Sequence, residues 1–341
     1  MKTLFRVDAS RRIGIGHLRR CLALAEALRK RGCDPIFLTK DFDKMALSLI
    51  KHDGFNKVEL MESDVNLDND LAMLRSTAVK YRADFVIADS YSFDDNYYRK
   101  LKSSGLGLLV IDDLAEGRFT ADIVLNQNIC AEALDYPAKT EAKLLLGPRY
   151  ALLKNDFAAK KDSYHPSGQL KKILIMLGGG INKNTLVIKI IKAVSSIKGH
   201  KFDIRVIAKI EPRTKEAIKK VLKDKDISYK LKGFSNNIFE DMLWADLVIC
   251  GGGSTTYELC SLGVPFMTFV LAPNQRLNAE SLEKGGVSIN LGWHKASRQT
   301  IIRDRVMDLM HGFSKRAKMS RRGRSLVDGL GAGRVAEEIL Y

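Results

Sequence analysis

The chain has 341 residues, 45% of them hydrophobic, which is more than one compact core usually holds and predicts two domains. It carries 56 Lys and Arg against 40 Asp and Glu, a net charge of +16 that favours anionic partners such as nucleotides. No apolar run reaches the roughly 20 residues of a membrane-spanning helix, and charges close to the start argue against a signal peptide. Five cysteines without a CxxC pair argue against a disulfide framework or a zinc site, so we expect a cytoplasmic protein.

Strand-like and helix-like stretches alternate from the start of the chain. Residues 3–7 have strand character, and residues 18–28 carry apolar side chains at helical spacing. Gly32 stands where the C-cap glycine of that helix is expected. Further short apolar runs follow at residues 35–38, 84–88, 108–111 and 122–125. Continuous apolar strands between amphipathic helices predict a parallel sheet that is covered on both faces.

The pattern then restarts after a linker-like stretch at residues 164–169. Strands are predicted at residues 172–177, 202–207 and 246–250, and helices near residues 184–197, 213–222, 301–310 and 334–339. We therefore expect an α/β protein with an N-terminal domain at residues 1–163 and a C-terminal domain at residues 164–312, facing across a cleft. The helices of residues 313–341 could pack back on the first domain. A single large open sheet is the alternative, which the linker and the second set of glycine turns disfavour.

The loop Gly14-Ile15-Gly16-His17 lies between the first predicted strand and the first predicted helix. Its glycines permit close approach of a ligand, and the helix start offers free N–H groups to a phosphate. A dinucleotide fingerprint would need a third glycine where Arg19 stands, so a nicotinamide site is disfavoured. At a helix start, His17 is expected to stay neutral and able to accept a proton. A histidine that only caps the helix or binds phosphate is the alternative.

A second glycine turn, Gly251-Gly252-Gly253-Ser254-Thr255, also follows a predicted strand and opens a helix, so it can bind anionic oxygens. Glu258 follows one turn later. It either accepts ribose hydroxyls or complements the helix dipole and completes a capping box with Thr255. Gly178-Gly179-Gly180 is a third glycine turn after a predicted strand. It either lets a phosphate or the other domain approach closely, or it is a turn without a binding role.

Aspartates stand at two predicted strand ends, in Asp89-Ser90-Tyr91 and in Asp112-Asp113. The paired aspartates are possible metal ligands, but no third ligand occurs at a suitable spacing, so we predict no metal and no other cofactor. A serine hydrolase is also disfavoured because the chain contains no G-x-S-x-G motif.

Several motifs together resemble a known family. They are, in chain order, Gly14-x-Gly16-His17-x-x-Arg20, Gly147-x-x-Tyr150-Ala151-Leu152-Leu153, Gly178-Gly179, and residues 251–258 followed by Gly263-Val264-Pro265 and Asn274-Gln275. Through nearly the whole chain, this order resembles the UDP-2,4-diacetamido-2,4,6-trideoxy-β-L-altropyranose hydrolases of the pseudaminic acid pathway. The C-terminal half more distantly resembles the UDP-GlcNAc-using glycosyltransferase that makes lipid II. Both have the GT-B fold of two Rossmann-like domains.

The resemblance implies that water replaces UDP at the anomeric carbon, with inversion and without a metal. It implies that His17 is the base, that Glu258 holds the ribose, and that the Gly233-Phe234 loop packs on uracil. The family often has histidine where Ser90 stands here. The predicted substrate-binding residues are Gly14, Gly16, Arg20, Tyr91, Gly178, Gly179, Gly233, Phe234, Gly253, Ser254, Thr255, Glu258, Asn274 and Gln275.

Two other functions compete with hydrolysis of a UDP-sugar. A glycosyltransferase would use the same histidine to deprotonate an acceptor hydroxyl. A basic nucleic-acid-binding protein would use the charge, which is dense only at residues 315–324, but interleaved aromatics and known readout motifs are missing. We therefore expect a UDP-sugar as the partner and no obligatory nucleic acid. The sequence leaves the oligomeric state open.

Overall fold

The computed structural model describes residues 1–9, 14–40, 44–136, 140–178, 183–233 and 238–341. The chain forms two compact units. The first contains Met1–Asn155 and Gly329–Tyr341, and the second contains Asp156–Asp328. This division lies before the boundary at residues 163 and 164 that the sequence predicts. The linker-like stretch therefore belongs to the second unit.

The first unit contains a sheet in which every described strand pair is parallel. Its strands are β1 (Lys2–Val7), β2 (Asp34–Lys40), β3 (Val58–Met61), β4 (Phe85–Asp89), β5 (Gly107–Ile111), β6 (Ile123–Asn126) and β7 (Lys143–Leu146). They lie in the order β3-β2-β1-β4-β5-β6-β7. The strand order reverses direction between β1 and β4, and such a switch point opens a crevice at the carboxyl ends of the two strands.

The second unit contains a separate parallel sheet. Its strands are β8 (Lys172–Met176), β9 (Phe202–Ile207), β10 (Ile227–Lys232), β11 (Leu247–Gly251), β12 (Phe266–Val270) and β13 (Ser288–Trp293). Their order, β10-β9-β8-β11-β12-β13, reverses between β8 and β11. The second unit therefore has its own switch point, between its first and fourth strands.

Helices connect the strands and cover both sheets. Numbered along the whole chain, they are α1 (Gly16–Arg29), α2 (Met45–His52), α3 (Leu67–Tyr81), α4 (Asp95–Lys102), α5 (Asn155–Ala159), α6 (Asn184–Val194), α7 (Pro212–Leu222), α8 (Ile238–Trp244), α9 (Thr255–Leu262), α10 (Arg276–Lys284), α11 (Gln299–His311), α12 (Phe313–Leu326) and α13 (Gly331–Leu340). In the parts of the chain described here, no helix combines the length and apolarity needed to cross a membrane.

The side chains of β1 show why its sheet is buried on both faces. Phe5 and Val7 pack with Leu18 of α1, whereas Leu4 points the other way and packs with Leu71 of α3. Successive strand residues point to opposite faces, so a strand with helices on both sides must be apolar throughout. The predicted parallel sheet with two covered faces is confirmed.

The two C-terminal helices pack in different units. Helix α13 packs on α1, where Arg31 Nη2 lies 2.7 Å from Glu337 Oε1. Helix α12 packs on α9 so closely that a Cβ on Gly323 would lie 3.1 Å from the Cys260 carbonyl oxygen. The structure therefore divides residues 313–341, which the sequence analysis grouped together.

The end of α1 differs from the expectation for Gly32. The C-cap residue is Lys30, and Gly32 follows two residues later with φ of +82°. Its N–H donates to the Arg29 carbonyl over 3.0 Å, so the glycine closes a turn after the helix and leads the chain into β2.

Candidate functional site

The loop before α1 brings His17 to the switch point of the first unit. Gly14 has φ of +91°, which favours glycine, and Gly16 is the first residue of α1. His17 is the second residue of that helix, and its side chain is 14% exposed. The loop geometry thus sets the imidazole beside the end of the neighbouring strand β4.

Asp89, the last residue of β4, holds the His17 ring. The strand pairs with β1 so that Asp89 lies beside Val7. The His17 Nδ1 lies 2.7 Å from Asp89 Oδ1, and the Asp89 side chain is fully buried. A carboxylate at Nδ1 selects the tautomer that carries its proton there, which leaves Nε2 as the nitrogen able to accept a proton.

Arg20 joins this pair to a second carboxylate. Its Nε and Nη2 donate to the two oxygens of Asp89 over 2.7 and 2.6 Å, and its Nη1 donates to Asp113 over 2.9 and 3.1 Å. Arg20, which the sequence predicts to bind substrate, is 5% exposed, and its guanidinium is bonded to these two carboxylates. We call His17, Arg20, Asp89 and Asp113 the ionic cluster.

In the ionic cluster, the nearby positive charges lower the pKa values of the two carboxylates by more than burial raises them. Burial alone would raise the pKa of Asp89, but the charges of Arg20 and His17 and their hydrogen bonds hold it well below its ordinary value. Burial also opposes ionisation of Asp113, whose pKa is nevertheless lowered, chiefly by Arg20. Both carboxylates are therefore charged at neutral pH.

Tyr91 completes the surroundings of the imidazole. Its ring meets the His17 ring edge to face, with centroids 4.7 Å apart and planes at 87°. Its hydroxyl donates to Asp113 Oδ2 over 2.5 Å, although the residue as a whole is 50% exposed. Tyr91 therefore links the ionic cluster to the surface and restricts the rotation of the His17 ring.

The two neighbouring aspartates have different structural roles. Asp112 Oδ2 accepts from the backbone N–H groups of Leu114 and Ala115 and from the hydroxyl of Tyr136, so it shapes the turn after β5. Asp113 belongs to the ionic cluster. Among the described residues, no group of three or more His, Cys, Asp or Glu is arranged to hold a metal ion.

The turn at residues 251–255, which we call the α9 turn, lies at the end of β11 and requires glycine for packing. A Cβ on Gly251 would lie 2.5 Å from Leu271 Cδ1, and one on Gly252 would lie 3.3 Å from the Gln275 carbonyl oxygen. Ser254 precedes the first residue of α9 and provides no side-chain cap. The N–H groups of Thr256 and Tyr257 donate to the carbonyls of Gly253 and Ser254. What the carboxyl end of the sheet can present to an anion is therefore the backbone of residues 253–255 and the positive end of the helix dipole.

The other substrate-binding residues that the sequence predicts in the second unit lie at several positions. Glu258 lies in the first turn of α9 and is 8% exposed. Asn274 and Gln275 form a short 3₁₀ helix with Pro273, and Gln275 Oε1 accepts from the Leu271 N–H over 3.1 Å. Gly178 has φ of +75° after β8, and Gly233 follows the edge strand β10. Gly179 and Phe234 lie outside the described residues.

Asp89 and Asp113 stand at predicted strand ends, but the sequence alone assigns neither residue a role. The signal was their position directly after apolar runs, which marks the ligand-binding edge of a parallel sheet. Their bonds to Arg20 depend on the order of the strands, which a single sequence does not display.

Comparison with known proteins supports a relation to enzymes of nucleotide sugars. Residues 173–329 match the Glycosyltransferase family 28 C-terminal domain. The chain is 26% identical, over 85% of its length and 98% of the relative, to the UDP-2,4-diacetamido-2,4,6-trideoxy-β-L-altropyranose hydrolase of Campylobacter jejuni. This similarity confirms the resemblance drawn from the motifs.

Two further relatives have less specific names. The chain is 24% identical to the spore coat polysaccharide biosynthesis protein SpsG of Bacillus subtilis, over 94% of this chain and 93% of that protein. It is 27% identical to an uncharacterized protein of Methanocaldococcus jannaschii over 81% of this chain, and it spans only 57% of that relative's length.

Solved structures show the same fold. MurG of Acinetobacter baumannii superposes with a TM-score of 0.72 at 16% sequence identity, covering 100% of this chain and 99% of MurG. At that identity the likeness concerns the fold alone. The predicted fold class is confirmed: the chain has two Rossmann-like domains of the GT-B type.

Proposed function

We propose that this protein hydrolyses a UDP-linked 2,4-diacetamido-2,4,6-trideoxyhexose to the free sugar and UDP, within pseudaminic acid biosynthesis. The observation that carries the proposal is the His17–Asp89 pair, in which Nδ1 is bound at 2.7 Å and Nε2 is left to accept a proton. Similarity to the Campylobacter hydrolase over 85% of the chain supports the choice of substrate and reaction.

In the proposed reaction, His17 Nε2 takes a proton from water while the water oxygen attacks the anomeric carbon. The bond from that carbon to the β-phosphate oxygen breaks, and UDP leaves with the electron pair. UDP is a good leaving group, so the main requirements are a positioned water, an oriented base and donors for the growing phosphate charge. Tyr91 and Asp89 keep the imidazole oriented during proton transfer.

We assign UDP binding to the second unit. The backbone of residues 253–255 and the positive end of the α9 dipole suit a diphosphate, and Gly253 leaves room for it to approach the backbone. Glu258 would accept the ribose hydroxyls, and Asn274 would contact the sugar. This assignment needs no metal, because the helix dipole supplies the positive potential.

Incubation of the protein with the UDP-sugar alone tests the proposal. We expect UDP and free sugar in equal amounts without any acceptor, and inversion at the anomeric carbon by NMR. In water enriched in ¹⁸O, the label should enter the sugar and not UDP, since the carbon–oxygen bond breaks. Label in UDP, or turnover only with an added acceptor, would refute hydrolysis at the anomeric carbon.

Glycosyl transfer is the second candidate function, favoured by the match to a glycosyltransferase domain family at residues 173–329. His17 would then deprotonate a sugar hydroxyl in place of water. A panel of acceptors added to the same assay separates the two functions, because a hydrolase should release UDP at an unchanged rate when acceptors are present.

The basic stretch at residues 315–324 offers little support for nucleic-acid binding. Arg316 is 1% exposed and donates to carbonyls that include Leu309 at the end of α11 and Ser167 in the linker. Arg324 donates to the Tyr164 carbonyl, and Arg322 to the Gly285 carbonyl. Three of its arginines thus bind the protein's own backbone, and Arg316 complements the negative end of α11. Salt-dependent DNA binding without any affinity for UDP would favour the nucleic-acid function instead.

A further inference from the structure

Lys183 places its ammonium beside Leu177 and Gly178, which directly follow β8. Its ammonium donates to the carbonyl of Leu177, and a Cβ on Gly178 would lie 3.9 Å from its Nζ. The side chain is partly buried, and α6 begins at the next residue. A lysine in this position holds its charge at the carboxyl end of the first strand of the second sheet.

Strand register brings the end of β8, where this ammonium donates, next to the strand that leads into the α9 turn. Strands β8 and β11 are neighbours, and their last paired residues are Met176 and Cys250. One residue further, Leu177 lies beside Gly251, and neighbouring strands are only about 4.8 Å apart. The Lys183 ammonium and the start of α9 therefore share the switch point of the second unit.

The positive charge of Lys183 is not neutralised within the described part of the chain, where the lysine makes only the bond to Leu177. Lys183 is also one of several cations that act on His294. The pKa of His294 lies below its ordinary value because of burial and the positive charges of Lys295, Lys189 and Lys183. The acid on the neighbouring element is Glu258 of α9, to which the proposed function assigns the ribose.

We propose that Lys183 binds the diphosphate of UDP, as a cationic partner to the N–H groups of the α9 turn. The inference rests on the proposed UDP-sugar function and adds a residue that the motifs did not select. A half-buried ammonium beside backbone N–H groups forms strong, charge-assisted hydrogen bonds with phosphate oxygens.

Calorimetry of UDP and uridine binding tests this role. Lys183→Met should weaken UDP binding by about 10-fold to 100-fold, the range for one hydrogen bond to a charged group, and leave uridine binding unchanged. Lys192→Met is the matched control, because Lys192 is exposed on the same helix and should affect neither ligand. An equal loss for UDP and uridine, or no loss for UDP, would overturn the inference while leaving the UDP-sugar function intact. Failure of the unaltered protein to bind UDP would overturn both.

The pH dependence of UDP binding tests the role of Lys183 in the unaltered protein. Burial lowers the pKa of Lys183 to about 8, so the ammonium loses its proton as pH rises through that value. UDP affinity should therefore fall between pH 7.5 and 9.5, well above the titration of a terminal phosphate at roughly 6. Lys183→Arg keeps its charge throughout this range and should flatten the profile. An identical fall in Lys183→Arg would contradict the assignment.

Discussion

The two switch points have the same topology but different contents. In each sheet, the order reverses between the first and fourth strands of the unit. The first unit fills the carboxyl ends of β1 and β4 with the ionic cluster, whose four side chains fix one another. The second unit instead places glycines at the end of β11, where side chains would collide with residues 271 and 275. The same fold position thus holds charged side chains in one unit and a glycine turn in the other.

Replacing Arg20 should give the largest effect, because the first switch point depends on buried charge. In Arg20→Met, Asp89 and Asp113 are left as buried carboxylates without their cation, which we expect to cost about 3–5 kcal/mol of folding free energy at pH 7. Lys30→Met, an exposed change in the residue that follows α1, should cost no more than about 0.5 kcal/mol. Urea unfolding measures both.

The pH dependence of stability should also reverse in Arg20→Met. In the unaltered protein the pKa values of Asp89 and Asp113 are depressed, so their contribution is present above the unfolded value of roughly 4 and is lost as pH falls below it. Without Arg20, burial raises these pKa values, so stability should increase as pH falls from 7 towards 5. A variant with the same pH slope as the unaltered protein would show that Arg20 does not control the two carboxylates.

His17→Asn should remove most turnover while keeping UDP affinity, since the nucleotide is assigned to the second unit. We expect UDP release from the UDP-sugar to fall by on the order of 10²-fold or more, the contribution of a general base. His52→Asn is a matched control, because His52 also lies beside an aspartate, Asp53, but is exposed. Full activity in His17→Asn would exclude the histidine from the mechanism.

Asp89→Asn tests whether the carboxylate positions the base. The amide can present a donor to Nδ1 and so reverse the tautomer, which should lower kcat by about 10²-fold because Nε2 is then protonated and cannot act as the base. KM should change little, because Asp89 is buried beneath His17. Asp68→Asn, at a side chain that is 82% exposed, is the control. A rise in KM with unchanged kcat would show that Asp89 acts on substrate binding instead.

Most of the central strands were predictable from the sequence, but the edge strands were not. Strand β9 matches the predicted residues 202–207, and β1 differs by one residue. The edge strands β3, β7, β10 and β13 were not predicted, because an edge strand lacks the continuous apolar run that marks burial on both faces. In β7, for example, Leu144 is 40% exposed.

The residues of the candidate sites also fall into two groups, those that a local sequence pattern reveals and those that it does not. Local signals located the glycine turns and His17, since a glycine pattern at a helix start is visible along the chain. The partners of Arg20 lie in β4 and after β5, and Lys183 reaches the second switch point only because β8 pairs with β11. Contacts that depend on strand order could not be derived from one sequence.

Alanine substitutions in the α9 turn should have smaller effects than the changes in the ionic cluster. They test whether the second unit binds the diphosphate through its backbone. A Cβ on Gly253 would lie 3.5 Å from Gln275 Nε2, an ordinary contact, so Gly253→Ala should leave the free energy of unfolding nearly unchanged. The methyl group would instead obstruct a phosphate at the α9 turn, and UDP affinity should fall by about 10-fold, or roughly 1.4 kcal/mol.

Alanine substitutions at two other glycines distinguish an effect on stability from an effect on UDP binding. Gly251→Ala should lower stability by about 1–3 kcal/mol, because its Cβ would overlap Leu271 Cδ1 at 2.5 Å. Gly168→Ala, where nothing lies within 4 Å of the added Cβ, should change neither stability nor UDP affinity. If Gly253→Ala bound UDP as tightly as the unaltered protein, close approach of the ligand to the backbone would be excluded. The second unit would then have to bind the diphosphate through side chains, as the first unit holds its own charges.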